Sequence, residues 1–269
     1  MNIRYLALWI DHPIYSGIEE EYGYYFNERS RFLDNFLSKA VRKDKISSEK
    51  FKMISINPVL NRDTSVKLLE YSQVFKVFLR VKQKELDDFL VMSDLQKYEY
   101  FLQLHERGYH EANKYFDIGI DLLFSYNDIL RKNGYKNEWL FKKKQIKEYG
   151  IYIYLDCSFS SFDFNLYLTV YDLKKTHLIA RKSIFHTHPD EICYQKDLRK
   201  TIFEDEKFFI TDFLGHPICE YKYKDLSEGN IKVNFLDDYL ETNQFSDEEQ
   251  GKYHNKKHGR LIAETLGEI

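Results

Sequence analysis

The sequence predicts an α+β protein: a mixed N-terminal part containing a helical hairpin, followed by a mainly antiparallel β-sheet. Three observations carry this reading. From Tyr149 to Tyr171 the chain reads YGIYIYLDCSFSSFDFNLYLTVY, with apolar and aromatic residues alternating with polar ones in two runs split by serines. That is the pattern of a half-buried hairpin. Between Leu95 and Lys132 apolar residues recur every three or four positions instead, the period of an amphipathic helix. Beyond residue 177 short apolar runs are separated by glycine-containing turns.

Taken in order, Ile3 to Ile10 reads as an opening strand. The stretch Glu19-Glu20-Glu21-Tyr22-Gly23-Tyr24-Tyr25-Phe26 reads as a second strand or an exposed loop. A helix is expected from Asn27, a residue suited to cap it, with Phe32, Leu33, Phe36, Leu37, Ala40 and Val41 on one face. Phe51 to Ile56 and Val74 to Val81 read as strands, with Asn57-Pro58 as a stop after the first. Ser93 or Asp94 opens a long helix through Leu95, Tyr98, Phe101, Leu102 and His105, reaching towards Tyr115 despite Gly108. A second helix, Asp121 to Lys132, ends at Asn133-Gly134, a pair suited to a left-handed cap. After the basic run Lys142-Lys143-Lys144, strands are expected at His177 to Phe185, Lys207 to Thr211, Ile218 to Tyr223 and Ile231 to Phe235. The change of patterning near residue 145 divides the chain into 1–145 and 146–269, as two parts or as one compact domain.

Composition excludes some functions. The 269 residues are 43% hydrophobic and 31% charged, enough apolar material for a large core. Forty basic against 43 acidic residues leave a formal charge of −3, too little for general attraction to phosphate backbones, so no nucleic-acid partner is expected. No run approaches the roughly 20 apolar residues that span a bilayer. The opening MNIRYLALWIDHP is interrupted by Asp11 and lacks a small-residue cleavage site. Cys157, Cys193 and Cys219 are odd in number and lack paired metal-type spacing, which suits reduced thiols. A cytoplasmic chain without a membrane partner is the expectation.

One compact motif bears on catalysis. In His186-Thr187-His188-Pro189 two imidazoles two residues apart at a strand end can point to one side and share a metal. The motif resembles the H-x-H-P core of the JAMM metal-dependent isopeptidases, which implies zinc, an aspartate ligand further along and an upstream glutamate base. Asp197 and Glu148 are the residues here that would take those parts. Asp197 stands with only eight residues between it and His188, closer than in the family, and no serine occupies the family's position. Read without the resemblance, the pair ends a strand and Pro189-Asp190 makes the exit turn. That reading expects no cofactor and no catalytic residue. His105 and His110, five apart on a helix, do not share a face well and read as surface or interface residues. There is no G-x-S-x-G elbow, phosphate loop, G-x-G-x-x-G or H-E-x-x-H.

Binding has more candidates. Glu19, Glu20 and Glu21 beside Tyr22, Tyr24 and Tyr25, and Asp237-Asp238-Tyr239 in an acidic later stretch, set steering charge next to ring anchors. The stretch LQKYEYFLQLHERGYHEANKYFDIGIDLLFSYNDILRKNGYKNEWLFKKK, from Leu95 to Lys144, resembles in texture and segment order the helical part of bacterial immunity proteins of secreted or contact-delivered toxin systems. The resemblance implies a cytoplasmic protein that binds one cognate toxin, a basic one on the charge argument, and blocks its active site or assembly. It carries over no catalytic residue, and a structural or phage-encoded interaction protein is the remaining alternative to it and to the zinc hydrolase.

Overall fold

A computed structural model of the chain describes residues 1–191, Tyr194 and residues 198–235. It is an α+β fold. The chain divides into two compact units, Met1–Asn137 with the turn Ser160–Phe162, and Glu138–Phe159 with the residues from Asp163 onward.

The first unit is built on a mixed four-stranded sheet of β1 (Tyr5–Leu8), β2 (Met53–Val59), β3 (Ser65–Leu69) and β4 (Val74–Arg80), in the order β1-β2-β4-β3. β1 and β4 both run parallel to β2, and β3 pairs antiparallel with β4. Six of the seven residues of β2 are buried, as expected of a central parallel strand covered on both faces. Pro58 lies inside β2 rather than stopping it. The β1 register ends at Leu8↔Ile56, so beyond Ile56 only β4 flanks β2, and an absent N–H is tolerated where pairing is one-sided.

After α1 (Pro13–Ser16), the 25-residue helix α2 (Glu20–Asp44) packs along β1. It begins seven residues earlier than the cap expected at Asn27, so Glu20 to Phe26 are its first turns rather than a strand or loop. Asn27 has a different task. β1 is an edge strand, and the backbone groups on its open side are satisfied by a polar stripe on α2. Asn27 accepts from Ile10 N–H at 2.8 Å and donates to its carbonyl at 3.0 Å. Ser38 does the same for Leu6, at 3.0 and 3.2 Å. Between them Asp34 Oδ2 accepts from Leu8 N–H at 3.0 Å and Ser30 donates to the Leu8 carbonyl at 3.3 Å. Helical spacing thus matches every second residue of the strand, and the edge is closed without another strand.

Three helices complete this unit: α3 (Gln83–Val91), absent from the sequence expectations, α4 (Asp94–Asn113) and α5 (Ile120–Lys132). Phe89 of α3 is fully buried, its ring 5.4 Å from those of both Phe26 and Phe101 and 5.7 Å from Tyr22. α4 starts where expected, with Gln96 accepting from the Ser93 N–H at 2.9 Å. α5 is tied to α4 by Arg131, whose guanidinium reaches Glu99 at 2.8 Å and Glu106 at 2.7 Å. The bonds from Arg131 hold the Glu99 carboxyl below its ordinary range. Gly134, with φ 69°, takes the left-handed turn out of α5.

The second unit holds two antiparallel four-stranded sheets. One, in chain order, is β5 (Asn137–Ile146), β6 (Ile151–Phe159), β7 (Phe164–Asp172) and β8 (Leu178–Thr187). β5 carries the lysine run and was not expected as a strand. The other is β9 (Lys200–Phe203), β10 (Lys207–Thr211), β11 (Pro217–Lys222) and β12 (Asn234–Phe235), with the short helix α6 (Tyr223–Ser227) after β11. Ile151, Ile153, Leu155, Cys157 and Phe159 of β6, with Phe164, Leu166, Leu168 and Val170 of β7, form a buried face. At one end Trp139, Phe159, Phe164 and Tyr194 cluster, the last two stacked at 3.9 Å. Phe208 and Tyr221 stack at 4.9 Å across β10 and β11.

Two stability outcomes follow. Asn27→Ala strands both main-chain groups of Ile10 and is expected to cost about 1–3 kcal/mol in urea denaturation, whereas Glu21→Ala, on the exposed side of the same helix, should change stability by less than about 0.5 kcal/mol. At Gly108 an added Cβ would lie 2.5 Å from Cγ1 and Cδ1 of Ile56 in the central strand. Gly108→Ala is therefore expected to destabilise by about 1–3 kcal/mol despite the better helix propensity of alanine. Adding Ile56→Val should recover part of that loss.

Candidate functional site

The residues singled out in the sequence fall in different places. Glu19 precedes the first turn of α2 without a side-chain capping bond, and Glu20 and Glu21 occupy that turn, exposed, where carboxylates favour the helix dipole. Their neighbouring rings mostly turn inward. Tyr22 packs on Phe26 and Phe89, its hydroxyl buried without a partner and its acidity suppressed by burial. Tyr25 is half-buried and accepts a hydrogen bond from Lys97 Nζ at 2.9 Å. Only Tyr24, 64% exposed, stays with the acids at the surface. Asp237, Asp238, Tyr239 and Asp197 lie outside the described residues.

His186 lies in β8 opposite Asn165 of β7, and His188 is exposed just past the strand end, where its carbonyl accepts from the Asp190 N–H at 2.7 Å. Glu148 is not brought to them. Asn165 is level with Ser158 of β6, whereas Glu148 precedes Ile151 at the other end of that strand, about 20 Å away at roughly 3.3 Å per residue. Among the described residues no three His, Cys, Asp or Glu side chains group closely enough to hold a metal ion. His105, read from sequence as a surface or interface residue, is fully buried. Its Nε2 lies 2.9 Å from Asp34 Oδ1 and its Nδ1 3.3 Å from the Tyr109 hydroxyl, which joins it to the polar stripe beneath β1. Cys157 and Cys219 are buried, and burial pushes the Cys219 thiol up to about 12, the reverse of an activated nucleophile.

The geometry assembles a different site, on the outer face of the β5–β8 sheet. Because side chains alternate across a strand, the register that buries Ile153 and Leu155 turns Tyr152, Tyr154 and Asp156 outward. Across β6, β7 and β8 the outward residues align in rows: Tyr152, Tyr171 and Leu178; Tyr154, Thr169 and Arg181; Asp156, Tyr167 and Ser183. The rings of Tyr152 and Tyr154 stack at 5.1 Å, and Tyr171 meets Tyr154 edge-on at 5.8 Å. All four tyrosines are half-buried.

Two cations complete this surface. Arg181 sets its guanidinium carbon 4.7 Å from the Tyr167 centroid. Lys175 comes from the β7–β8 turn, where Asp172 accepts bonds from the N–H groups of Thr176 and His177 and from the Thr176 hydroxyl, at 2.8 to 3.0 Å. Those bonds hold the Asp172 carboxyl below its ordinary range. The left-handed φ of 60° at Lys175 directs its ammonium to 4.1 Å from the Tyr152 centroid. A hydrogen bond with Tyr154 raises the affinity of Lys175 for its proton. Tyr154, Asp156, Thr169, Tyr171, Lys175, Leu178 and Arg181 enclose a depression of about 420 Å³, within the size range of ligand pockets. Burial raises the Asp156 carboxyl above its ordinary range, Arg181 opposes and Glu138 adds to the rise. The signal for this face was present in the alternation of IYIYLD, but its rings read as core until the register of three strands is known.

No protein-family model, no curated protein and no solved structure matches the chain. Among the described residues no helix is long and apolar enough to cross a membrane.

Asp156 gives a pH test with a definite sign. An acid whose folded pKa exceeds its unfolded value stabilises the fold while protonated, and that contribution is lost as pH rises through the folded value. Asp156→Asn is therefore expected to gain stability relative to the wild type between pH 4 and pH 7 in urea titrations. A variant that instead loses ground over this interval would show that Arg181 outweighs burial.

Proposed function

We propose that the chain is a cytoplasmic binding protein whose outer β5–β8 face engages a protein partner, and that this partner is a cognate toxin which it neutralises by covering the active site or blocking assembly. The observation that carries the reading is the tyrosine grid. Tyr152, Tyr154, Tyr167 and Tyr171 are held by the strands in fixed rows, half-buried at their bases, with Lys175 and Arg181 resting on the rings. Tyrosine supplies large contact area at small entropic cost and carries a hydroxyl for polar pairing, which is why it concentrates at binding surfaces. The toxin assignment draws on the likeness of the Leu95–Lys144 segment to immunity proteins. Glu19, Glu20 and Glu21, with Tyr24, form a second candidate contact in the first unit, where exposed carboxylates would steer a basic partner.

The test begins with co-purification from the native cell and identification of what the tagged protein retains. Tyr154→Ala combined with Tyr171→Ala is expected to weaken that complex by at least about 30-fold, the effect of removing interfacial anchors. Lysines at Glu19, Glu20 and Glu21 should slow association several-fold at low salt and leave dissociation nearly unchanged. Retention of the partner at wild-type affinity by the tyrosine variant, with its fold intact by circular dichroism, would refute the assignment of this face.

A further inference from the structure

The cations of the depression on the tyrosine face are placed differently from those that pair with acids elsewhere in the protein. Lys76 pairs with Asp11 at 2.9 Å, Arg107 with Glu85 at 2.7 Å, Arg131 with Glu99 and Glu106, and Lys207 with Glu220 at 2.8 Å. Lys175 and Arg181 line one depression, and among the described residues neither has a carboxylate within 4 Å. Each lies over a tyrosine ring instead, which removes part of its water without neutralising it. The lining also contains Asp156, so two cations face one acid. Tyr154, Tyr171 and Leu178 supply apolar walls, and Thr169 lies between Tyr154 and Arg181 in the middle row.

We infer that this depression receives an acidic side chain of the protein partner, a Glu or Asp carboxylate seated between Lys175 and Arg181, with the adjoining apolar residue of the same segment against Tyr154, Tyr171 and Leu178. The inference rests on the binding reading given above and narrows it to the local chemistry of the contact. Charge decides the occupant. A basic side chain would meet two unpaired cations for one acid, whereas a carboxylate meets two cations already oriented by their rings and by the Asp172-braced turn. The volume suits a side chain and its neighbour. Burial disfavours the charged form of Asp156, the one acid of the lining, which lowers its opposition to a second carboxylate.

The experiment uses the full chain, isotope-labelled for amide NMR, with two synthetic probes: acetyl-Gly-Glu-Phe-Glu-Leu-Gly-amide and the same peptide with both Glu replaced by Gln. Expected is a saturable shift confined to β6, β7, β8 and the Lys175 turn with the acidic peptide. Its affinity should be at least about tenfold above that of the Gln peptide, falling with added salt. Lys175→Met with Arg181→Met should abolish that difference while the spectrum elsewhere stays unchanged. Arg181→Gln alone, which removes the charge but keeps a polar end, should reduce it. The inference is overturned if no shift occurs at millimolar acidic peptide, if both peptides bind alike, or if the double Met variant binds as the wild type does. A partner from the native cell retained equally by the double Met variant would also overturn it while leaving the binding reading standing. Acidic-peptide binding with no protein captured from the cell would support the pocket and remove the binding reading.

Discussion

The register of the β6–β7 hairpin is the constraint on which the second unit and its candidate site both depend. Nine residue pairs, from Ile151↔Asp172 to Phe159↔Phe164, fix which side of each strand is buried. A slip of β6 by one residue would turn Ile153, Leu155 and Cys157 to water and send Tyr152 and Tyr154 inward. Burying each aliphatic side chain is worth about 1.5–3 kcal/mol, so the hydrophobic face selects the register and the tyrosine face follows from it. The proposed binding surface is thus not separately encoded. It is the other half of the pattern that builds the core, and β8 then adds Arg181 and Leu178 to its rows.

The first unit answers a different constraint, the open edge of β1. α2 closes it with Asn27, Ser30, Asp34 and Ser38, and the carboxylate this requires is partnered in turn by the buried His105 and, beyond it, Tyr109. A half-buried acid without such a partner would be costly, which accounts for a histidine at the centre of α4. Gly108, one turn later, lets the same helix approach Ile56 of the central strand. Asn27, Ser30, Asp34 and Ser38 of α2 and His105 of α4 are therefore structural where sequence alone leaves them open to functional readings.

Legibility in the sequence tracks how local the deciding contact is. The hairpin, the strand Lys207–Thr211, the start of α4 at Ser93 and the turn at Gly134 depend on neighbours within a few residues, and all are readable. Tyr22, Tyr24 and Phe26 misled because two-residue spacing suggests a strand, while the contacts that count are the helical ones from Tyr22 and Phe26 to Phe89. β5 escaped notice because its Lys142-Lys143-Lys144 run is exposed on an edge strand, where charge discourages further pairing and erases the apolar signal. His105 could not be placed because Asp34 is 71 residues away. The depression needed side chains from β6, β7, β8 and a turn, so no single segment announces it.

On the proposed binding reading, the tyrosine face is covered when the protein engages its partner. Hydroxyl-radical footprinting, comparing the purified chain with the complex isolated from the native cell, measures this side chain by side chain. Protection of Tyr152, Tyr154, Tyr167 and Tyr171 is expected in the complex, with Tyr71 and Tyr115, exposed on the first unit, oxidised equally in both samples. Equal oxidation of the four sheet tyrosines in the two samples would contradict it.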